Sequence, residues 1–224
     1  MDVRTQSSVY KFEDDGTPKE YCGNTVISML SEKDGDIWKA AGWVQEQIKK
    51  ESIARNLVFL PEDSFHMTWI SLCREIDRDT DEWPKGISRD VPMSEIDKIL
   101  KERIDSLIPT APVRMEIDQC FPELILLRPA DEESAQILKT FKERAIELTG
   151  IRHPGHESLG FHVTTSYVLY EWTEEEKKEC DRICAKLTET LKNTVKTFVI
   201  PQPQFVVFNN MLKFYPELGI HDRL

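Results

Sequence analysis

The stretch Phe65-His66-Met67-Thr68-Trp69-Ile70-Ser71-Leu72 decides the fold of this chain. Its apolar and β-branched residues predict a strand, and side chains at positions i and i+2 of a strand point to the same face. His66 and Thr68 are therefore expected on one face, with the apolar residues around them packed on the other. An imidazole and a hydroxyl would then stand side by side on rigid backbone, as a catalytic or binding site requires.

A second stretch repeats the arrangement: Gly160-Phe161-His162-Val163-Thr164-Thr165-Ser166-Tyr167-Val168-Leu169. His162 follows His66 by 96 residues (162 − 66), and Thr164 stands where Thr68 stands in the first copy. With 5 histidines and 15 threonines in 224 residues, chance gives about 0.3 His-x-Thr triplets per chain. One copy alone is best explained as a core histidine beside a strand threonine. Two copies, each preceded by phenylalanine, favour a functional pair.

The sequence around the two stretches repeats one order of elements, which predicts a duplicated α+β fold. We expect a single domain over residues 1–224, with approximate lobes at 23–110 and 111–224 between which strands are free to interleave. A polar segment with a turn at 14–18 precedes the lobes, and the charged segments 74–92 and 151–160 are predicted loops. Hydrophobic periodicity and capping signals predict the other elements: strands at 26–30, 57–60, 113–117, 124–128, 204–208 and 211–215, and helices at 36–53, 94–108, 131–150 and 173–193.

Composition and charge limit the partners. The chain is 40% hydrophobic and 31% charged, with a net charge of −11 and a pI near 5.0. This surface repels a long nucleic acid, whereas a small phosphate ligand or the end of an RNA needs only a few local donors. No run approaches the roughly 20 apolar residues of a membrane span, and no signal core opens the sequence. We expect a cytoplasmic monomer with five reduced cysteines and no membrane partner.

Paired histidines and threonines suit phosphate chemistry. Histidine titrates near neutral pH, so one imidazole can accept a proton while its partner donates one to a leaving oxygen. Thr68 and Thr164 can donate hydrogen bonds to the non-bridging oxygens, where charge concentrates in the transition state. The sequence does not show which of His66 and His162 is the base. It predicts no metal and no cofactor, because cysteine, histidine and carboxylate groups nowhere show ligand spacing.

Four further residues are weaker candidates for substrate binding. Asn24 lies next to the first strand, where it either lines a cleft or completes a turn. Arg152 stands in a loop that leads into the second motif, together with His153 and His156, whose spacing favours a solvated loop over a metal site. Lys213 and Tyr215 would share one face of the last predicted strand, and a solvated strand face is the simpler explanation for them.

The paired H-x-T segments resemble those of the 2H phosphoesterase superfamily, which includes RNA 2′-5′ ligase-like proteins and cyclic nucleotide phosphodiesterases of RNA ends. The stretches at 23–27, 65–68, 83–84 and 211–215 are similar to its DUF1868 branch. The resemblance implies a two-lobed α+β fold in which antiparallel sheets from the two halves form a central cleft flanked by helices. It also implies acid and base roles for the histidines and phosphate binding for the threonines. Thr165 departs from the pattern, since the superfamily usually has an apolar residue there.

These observations predict a metal-independent phosphoesterase that hydrolyses a cyclic phosphate or phosphodiester of the 2′,3′-cyclic nucleotide or RNA-end type. The first alternative is a non-catalytic nucleotide or RNA-end binding protein of the same fold. The second is a metal hydrolase that combines His66 and His162 with a carboxylate such as Asp63 or Glu157. Ligation, the reverse reaction, stays open because acid and base roles are reversible.

Overall fold

The computed structural model describes residues 3–154 and 160–223, and the predictions that concern His156 and Glu157 lie outside these residues. The described residues form a mixed α+β fold, as predicted. Its four helices are α1 (Asp36–Ile48), α2 (Met93–Asp105), α3 (Glu132–Thr149) and α4 (Glu174–Thr194). Its nine strands are β1 (Gly23–Met29), β2 (Leu57–Phe59), β3 (His66–Arg74), β4 (Val113–Cys120), β5 (Leu124–Pro129), β6 (Phe161–Thr164), β7 (Ser166–Val168), β8 (Phe198–Ile200) and β9 (Gln204–Phe208).

Seven of the strands form one antiparallel sheet in the order β8-β4-β5-β6-β3-β1-β9. The two strands that carry the H-x-T motifs, β3 and β6, are neighbours at the centre of this sheet. Strand β9 comes from the end of the chain and pairs with β1 near its beginning, so strands of the two halves interleave. The sheet thus brings together two motifs that lie far apart in the sequence.

The face of the sheet opposite the motif side chains is packed on helices. Met67 and Val163 are fully buried there, and the ring of Trp69 meets Phe141 of α3 edge-on at 5.3 Å between ring centres. Burying a large apolar side chain stabilises a fold by about 1.5–3 kcal/mol. This packing holds β3 and β6 rigidly under the site.

The ends of α3 and α4 follow the capping signals of the sequence, whereas α1 begins after Gly35 and the candidate cap Asp36 is its first helical residue. The Asp131 carboxylate accepts a hydrogen bond from the Ser134 backbone N–H at 2.7 Å, and Gly150 ends α3 in the left-handed conformation with φ of 71°. Thr173 and Glu176 form the expected capping box of α4. No helix within the described ranges combines the length and the apolar character that crossing a membrane needs.

The predicted second His strand is broken at Thr165, which corrects the sequence analysis. Thr165 is buried, its backbone N–H bonds the Glu123 carbonyl, and its own carbonyl accepts bonds from Leu60 and Gln45. Beyond it, β7 leaves the main sheet and pairs with β2 in a separate two-stranded sheet. The polar residue after the second motif therefore marks the point where the chain changes sheets.

Three other predictions of elements were wrong. The chain reverses direction after β9, so residues 211–215 form a turn and not a strand. Within the described residues of this stretch, Tyr215 alone forms a bridge, with Val207 of β9. The first predicted helix stops at Ile48, and the chain continues as a 3-10 turn at Ser52–Asn56. The three-residue strand β8 was missed, since its short run gives little periodic signal.

The N-terminal segment, residues 3–22, lies along the chain just after β7. The Thr5 backbone N–H bonds the Leu169 carbonyl at 3.0 Å, and Phe12 is fully buried against Tyr167 with 5.2 Å between ring centres. The turn predicted at 14–18 is present, with Gly16 at φ of 85°. This segment, which looked like a polar extension in the sequence, reaches the edge of the site.

Candidate active site

The register of β3 against β6 sets the geometry of the two motifs. Met67 pairs with Val163, so antiparallel geometry puts His66 across from Thr164 and Thr68 across from His162. All four motif side chains lie on the face opposite the buried Met67, and all four line one cleft. The histidines occupy diagonal positions, which are typically about 7–8 Å apart, with their Cβ atoms somewhat closer. A phosphate group fits between two imidazoles at that spacing.

The cleft has a volume of about 230 Å³. Its walls combine the motif residues with an aromatic set and a basic set. The aromatic set consists of Tyr21, Tyr167, Phe208 and Phe214. Trp69 and Phe161 also border the cleft, but strand alternation puts their rings on the face of Met67 and Val163. The basic side chains are Lys11, Arg74 and Lys142, and no Asp or Glu lines the cleft among the residues described. A protein with a net charge of −11 therefore places cationic side chains at this cleft, which favours an anionic ligand, although Asp77 and Glu82 already pair with Arg74.

Each histidine is held in the same way. His66 Nδ1 lies 2.7 Å from the Ser64 carbonyl oxygen, and His162 Nδ1 lies 3.0 Å from that of Gly160, two residues back in both cases. A carbonyl only accepts, so both Nδ1 atoms carry the proton when the rings are neutral. Both Nε2 atoms then hold the lone pair and make no hydrogen bond to a described residue. Two matched Nε2 atoms are thus left for a substrate.

The surroundings of both rings disfavour their charged form. Burial lowers the pKa of His66 to about 4; its bond to Ser64 opposes the shift, and nearby His162 adds to it. The Phe214 ring lies edge-on against His66 with 4.3 Å between ring centres, which supplies much of the apolar contact. Burial also lowers the pKa of His162, against the bond to Gly160, and the Lys11 ammonium contributes. Both imidazoles are therefore neutral at neutral pH without a ligand.

The hydroxyls of Thr68 and Thr164 are half-buried, and the protein leaves their hydrogen-bonding capacity unused among the described residues. Within the described residues, Thr68 and Thr164 Oγ1 atoms make no hydrogen bond. Polar groups in a partly dry cleft are normally paired with protein, water or ligand. Two unengaged hydroxyls beside two unengaged imidazole nitrogens form a site suited to a phosphate.

The comparisons with known proteins identify a family. A family model described as "2H-phosphodiest: Domain of unknown function (DUF1868)" matches residues 11–126. The chain belongs to this family. The matched range holds the first motif, and the second motif follows in the remaining sequence. The family name indicates chemistry of the phosphodiesterase type.

A solved structure shows the same fold. A conserved protein of unknown function, ATU0111 from Agrobacterium tumefaciens str. C58, superposes with a TM-score of 0.87 at 23% identity, over 97% of this chain and 94% of that one. A second structure, TT0787 of Thermus thermophilus, gives a TM-score of 0.42 at 14% identity, over 82% of this chain and 86% of that one. A comparison with curated proteins gives no match.

Of the four weaker candidates for substrate binding, one lines the cleft and three do not. Asn24 lines the cleft, but its amide bonds Asp97 at 2.9 Å and its oxygen accepts from the Cys73 backbone N–H at 2.9 Å. Its polar atoms are thus engaged within the protein. Lys213 and Tyr215 share no strand face; the Lys213 ammonium lies 5.2 Å from the Tyr215 ring, and neither lines the cleft. Arg152 is exposed and is not a lining residue.

A charged network joins the chain beyond α3 to the end of β3. His153 Nε2 lies 2.8 Å from the Leu72 carbonyl, its Nδ1 bonds the Glu82 carboxylate, and Arg74 bonds both Glu82 and Asp77. The ligand atoms of Asp77, Glu82 and His153 lie within 4.8 Å of one another, as in a metal site. The Arg74 guanidinium already supplies their cation, so the cluster is explained as a structural ion network. The sequence favoured a solvated loop for His153, whereas in the structure its ring bonds Glu82 and the Leu72 carbonyl.

The described residues do not support the alternative of a metal hydrolase, in which His66, His162 and a carboxylate would bind one metal ion. Asp63 is exposed and does not line the cleft, and Glu157 lies outside the described residues. A two-histidine set needs at least one more protein ligand for a typical catalytic zinc site.

Sequence analysis missed most of the lining residues, and four of them show why. The pairing of β3 with β1 has two register irregularities, which change the face to which the later side chains of β3 point. Ser71 and Arg74 therefore line the cleft together with His66 and Thr68. Phe214 reaches it from the turn that was predicted as a strand. Lys11 comes from the N-terminal segment. The available signal in the sequence was the phenylalanine that follows it, Phe12, which the structure buries.

Proposed function

We propose that the protein hydrolyses a small cyclic phosphate or phosphodiester without a metal, using His66 and His162 as general base and acid. The observation that carries the proposal is the matched pair of imidazoles. Each is fixed through Nδ1 with Nε2 left unengaged, and each has a threonine hydroxyl across the strand pair. Ligation by the reverse steps would use the same groups.

The proposed reaction needs two proton transfers. Water attacks phosphorus while one Nε2 takes its proton; the bond from phosphorus to the leaving oxygen breaks, and the other histidine gives that oxygen a proton. Thr68 and Thr164 donate hydrogen bonds to the non-bridging oxygens as charge builds up there. Deeper burial and the Phe214 contact keep His66 neutral to lower pH, so we assign it as base and His162 as acid.

The cleft favours a nucleotide-sized ligand. A volume of about 230 Å³ suits one phosphate with one ring system, and Tyr21, Phe208 and Phe214 offer apolar surface for a base. The acidic remainder of the surface disfavours a long nucleic acid. We therefore take 2′,3′-cyclic nucleotides and short RNA ends as the first substrates to test.

The test is hydrolysis of 2′,3′-cyclic nucleotides by enzyme that has been dialysed against EDTA, with 3′,5′-cyclic nucleotides in parallel. Turnover that survives EDTA supports the proposal. Loss of turnover in EDTA, restored by added metal, would instead support the metal hydrolase. Tight binding without turnover of any cyclic or linear diester would support the binding protein.

The rate should depend on pH as the two lowered pKa values dictate. The base works above the pKa of His66, about 4, and the acid works below that of His162, which lies under 6.5. We expect kcat/KM to give a bell with its maximum between these two limits and to fall as pH rises through neutrality. An optimum above about pH 7 in kcat/KM would contradict the assignment.

Removing one motif hydroxyl should slow turnover without unfolding the protein. Thr68→Val and Thr164→Val keep the side-chain shape but delete a donor to the developing charge, so we expect kcat to fall by about 10²–10³-fold. Thr68→Ser and Thr164→Ser keep the hydroxyl and serve as matched controls that retain most activity. Equal rates for the valine and serine variants would show that the hydroxyls do not touch the phosphate.

A further inference from the structure

Lys11 lines the cleft of the two motifs, and its ammonium has no acidic partner among the described residues. Its Nζ atom is 4.5 Å from the centre of the Tyr167 ring and 5.7 Å from that of Tyr21. It makes no hydrogen bond and no ion pair to a described residue, although the residue is half-buried. Two aromatic faces attract a cation, but they do not neutralise its charge.

The other cations of the cleft are engaged. The Arg74 guanidinium bonds Asp77 and Glu82 at 2.5 and 2.9 Å, and Lys142 has interactions of its own, including the Phe161 ring at 5.4 Å. Within the described part of the chain, Lys11 is therefore the lining cation whose ammonium has neither an ion pair nor a hydrogen bond in the protein. Burying a charge that has no counter-ion is costly, so such a group calls for an anion.

The backbone holds Lys11 at this position. Its N–H bonds the Ser8 carbonyl at 2.9 Å, its carbonyl accepts from the Lys19 N–H at 2.9 Å, and Phe12 beside it is fully buried. The ammonium also acts on His162, whose pKa it helps to lower, so it lies within electrostatic reach of the second motif. The segment before the first strand thus delivers a fixed positive charge to the phosphate position.

We propose that Lys11 binds the negatively charged oxygens of the ligand's phosphate, which makes the N-terminal segment a part of the substrate site. The inference deepens the proposed function and rests on the same cleft. An ammonium offers three donors as a compact point charge, which suits phosphate oxygens. Contacts with the rings of Tyr21 and Tyr167 hold the Lys11 ammonium at the cleft before a ligand binds.

Phosphate binding can be measured without turnover. We would titrate inorganic phosphate into wild type and follow the His66 and His162 ring signals by NMR, then repeat with Lys11→Met, Lys11→Gln and Lys11→Arg. Loss of one charge-assisted bond should weaken phosphate binding about 10- to 100-fold in the two neutral variants, with partial recovery in Lys11→Arg. Lys19→Met is the matched control, because Lys19 bonds the Val9 carbonyl and pairs with Glu13 outside the cleft.

The outcomes separate this inference from the proposed function. Phosphate affinity that stays the same in both neutral variants overturns the role of Lys11, even if wild type hydrolyses diesters. Failure of wild type to bind phosphate overturns it as well. Lys11-dependent binding with no turnover of any diester supports the inference and rejects the hydrolase. Unfolding midpoints of the variants identify any that fail to fold, and the remaining neutral variant then decides.

Discussion

Replacing His66 or His162 by alanine is expected to slow hydrolysis by about 10²–10⁴-fold, the usual contribution of one general acid or base. Neither imidazole bonds another side chain within the described residues, so the loss should appear in the rate and not in folding. Rates on a 2′,3′-cyclic nucleotide, together with unfolding midpoints, measure both effects. Retention of most activity in either variant would mean that the paired motifs are not the catalytic groups.

The leaving group tells the two histidines apart. A p-nitrophenyl phosphodiester releases p-nitrophenolate, which needs no proton to leave, so the general acid contributes little with that substrate. His162→Ala should therefore recover most of its lost rate on the activated diester, whereas His66→Ala should stay slow. The reverse pattern would exchange the two roles, and equal recovery would argue against separate acid and base groups.

Asp97→Ala is expected to lower the free energy of unfolding by about 3–5 kcal/mol, because it leaves a buried charge without its partner. Asp97 and His221 are almost fully buried, with 2.7 Å between the carboxylate and Nδ1. His221 Nε2 lies 3.0 Å from the Phe208 carbonyl, and the Asn24 amide bonds the other Asp97 oxygen. This network joins the C-terminal turn, α2 and β1 behind the cleft. Chemical denaturation of wild type and variant measures the change.

The matched control is Asp105→Ala on the same helix. Asp105 forms an exposed pair with Lys101 at 2.9 Å, and such pairs contribute about 0–1 kcal/mol. A similar small loss for Asp97→Ala would show that the network contributes no more than a surface pair.

The same network predicts how stability depends on pH. Burial opposes the charge on His221, but the bond and attraction of Asp97 outweigh it and hold the pKa of His221 above 6.5. The contribution is therefore fully present below the unfolded pKa of about 6.5 and is lost as pH rises through the folded value. Asp97→Asn should abolish this part of the pH dependence, and an unchanged profile would contradict the ion pair.

The sequence predicted the α+β fold, and the placement of the four motif side chains on one strand face each, because the signals for both are local and periodic. Strand alternation at His66 and Thr68, and capping residues such as Asp131, depend on near neighbours in the chain. Register and bulges depend on partner strands, so the approach of Ser71 and Arg74 to the cleft had no local signal.

Tertiary packing determines features of the site that local sequence patterns leave open. Asn24 is buried against Asp97, far away in the sequence, and single-sequence patterns do not reveal such a pair. The N-terminal segment is polar on average, and its contacts with the chain after β7 give Lys11 its position. A turn placed Phe214 at the cleft where alternation had favoured Lys213 and Tyr215.

The most direct test of the central claim is a double-mutant cycle on the two histidines. Rates for wild type, His66→Ala, His162→Ala and the double variant would be measured on one 2′,3′-cyclic nucleotide in EDTA. Two groups that act as one unit should be strongly non-additive, so the double variant is predicted to be little slower than the slower single variant. Full multiplication of the two losses, or wild-type rates in every variant, would contradict the two-histidine mechanism.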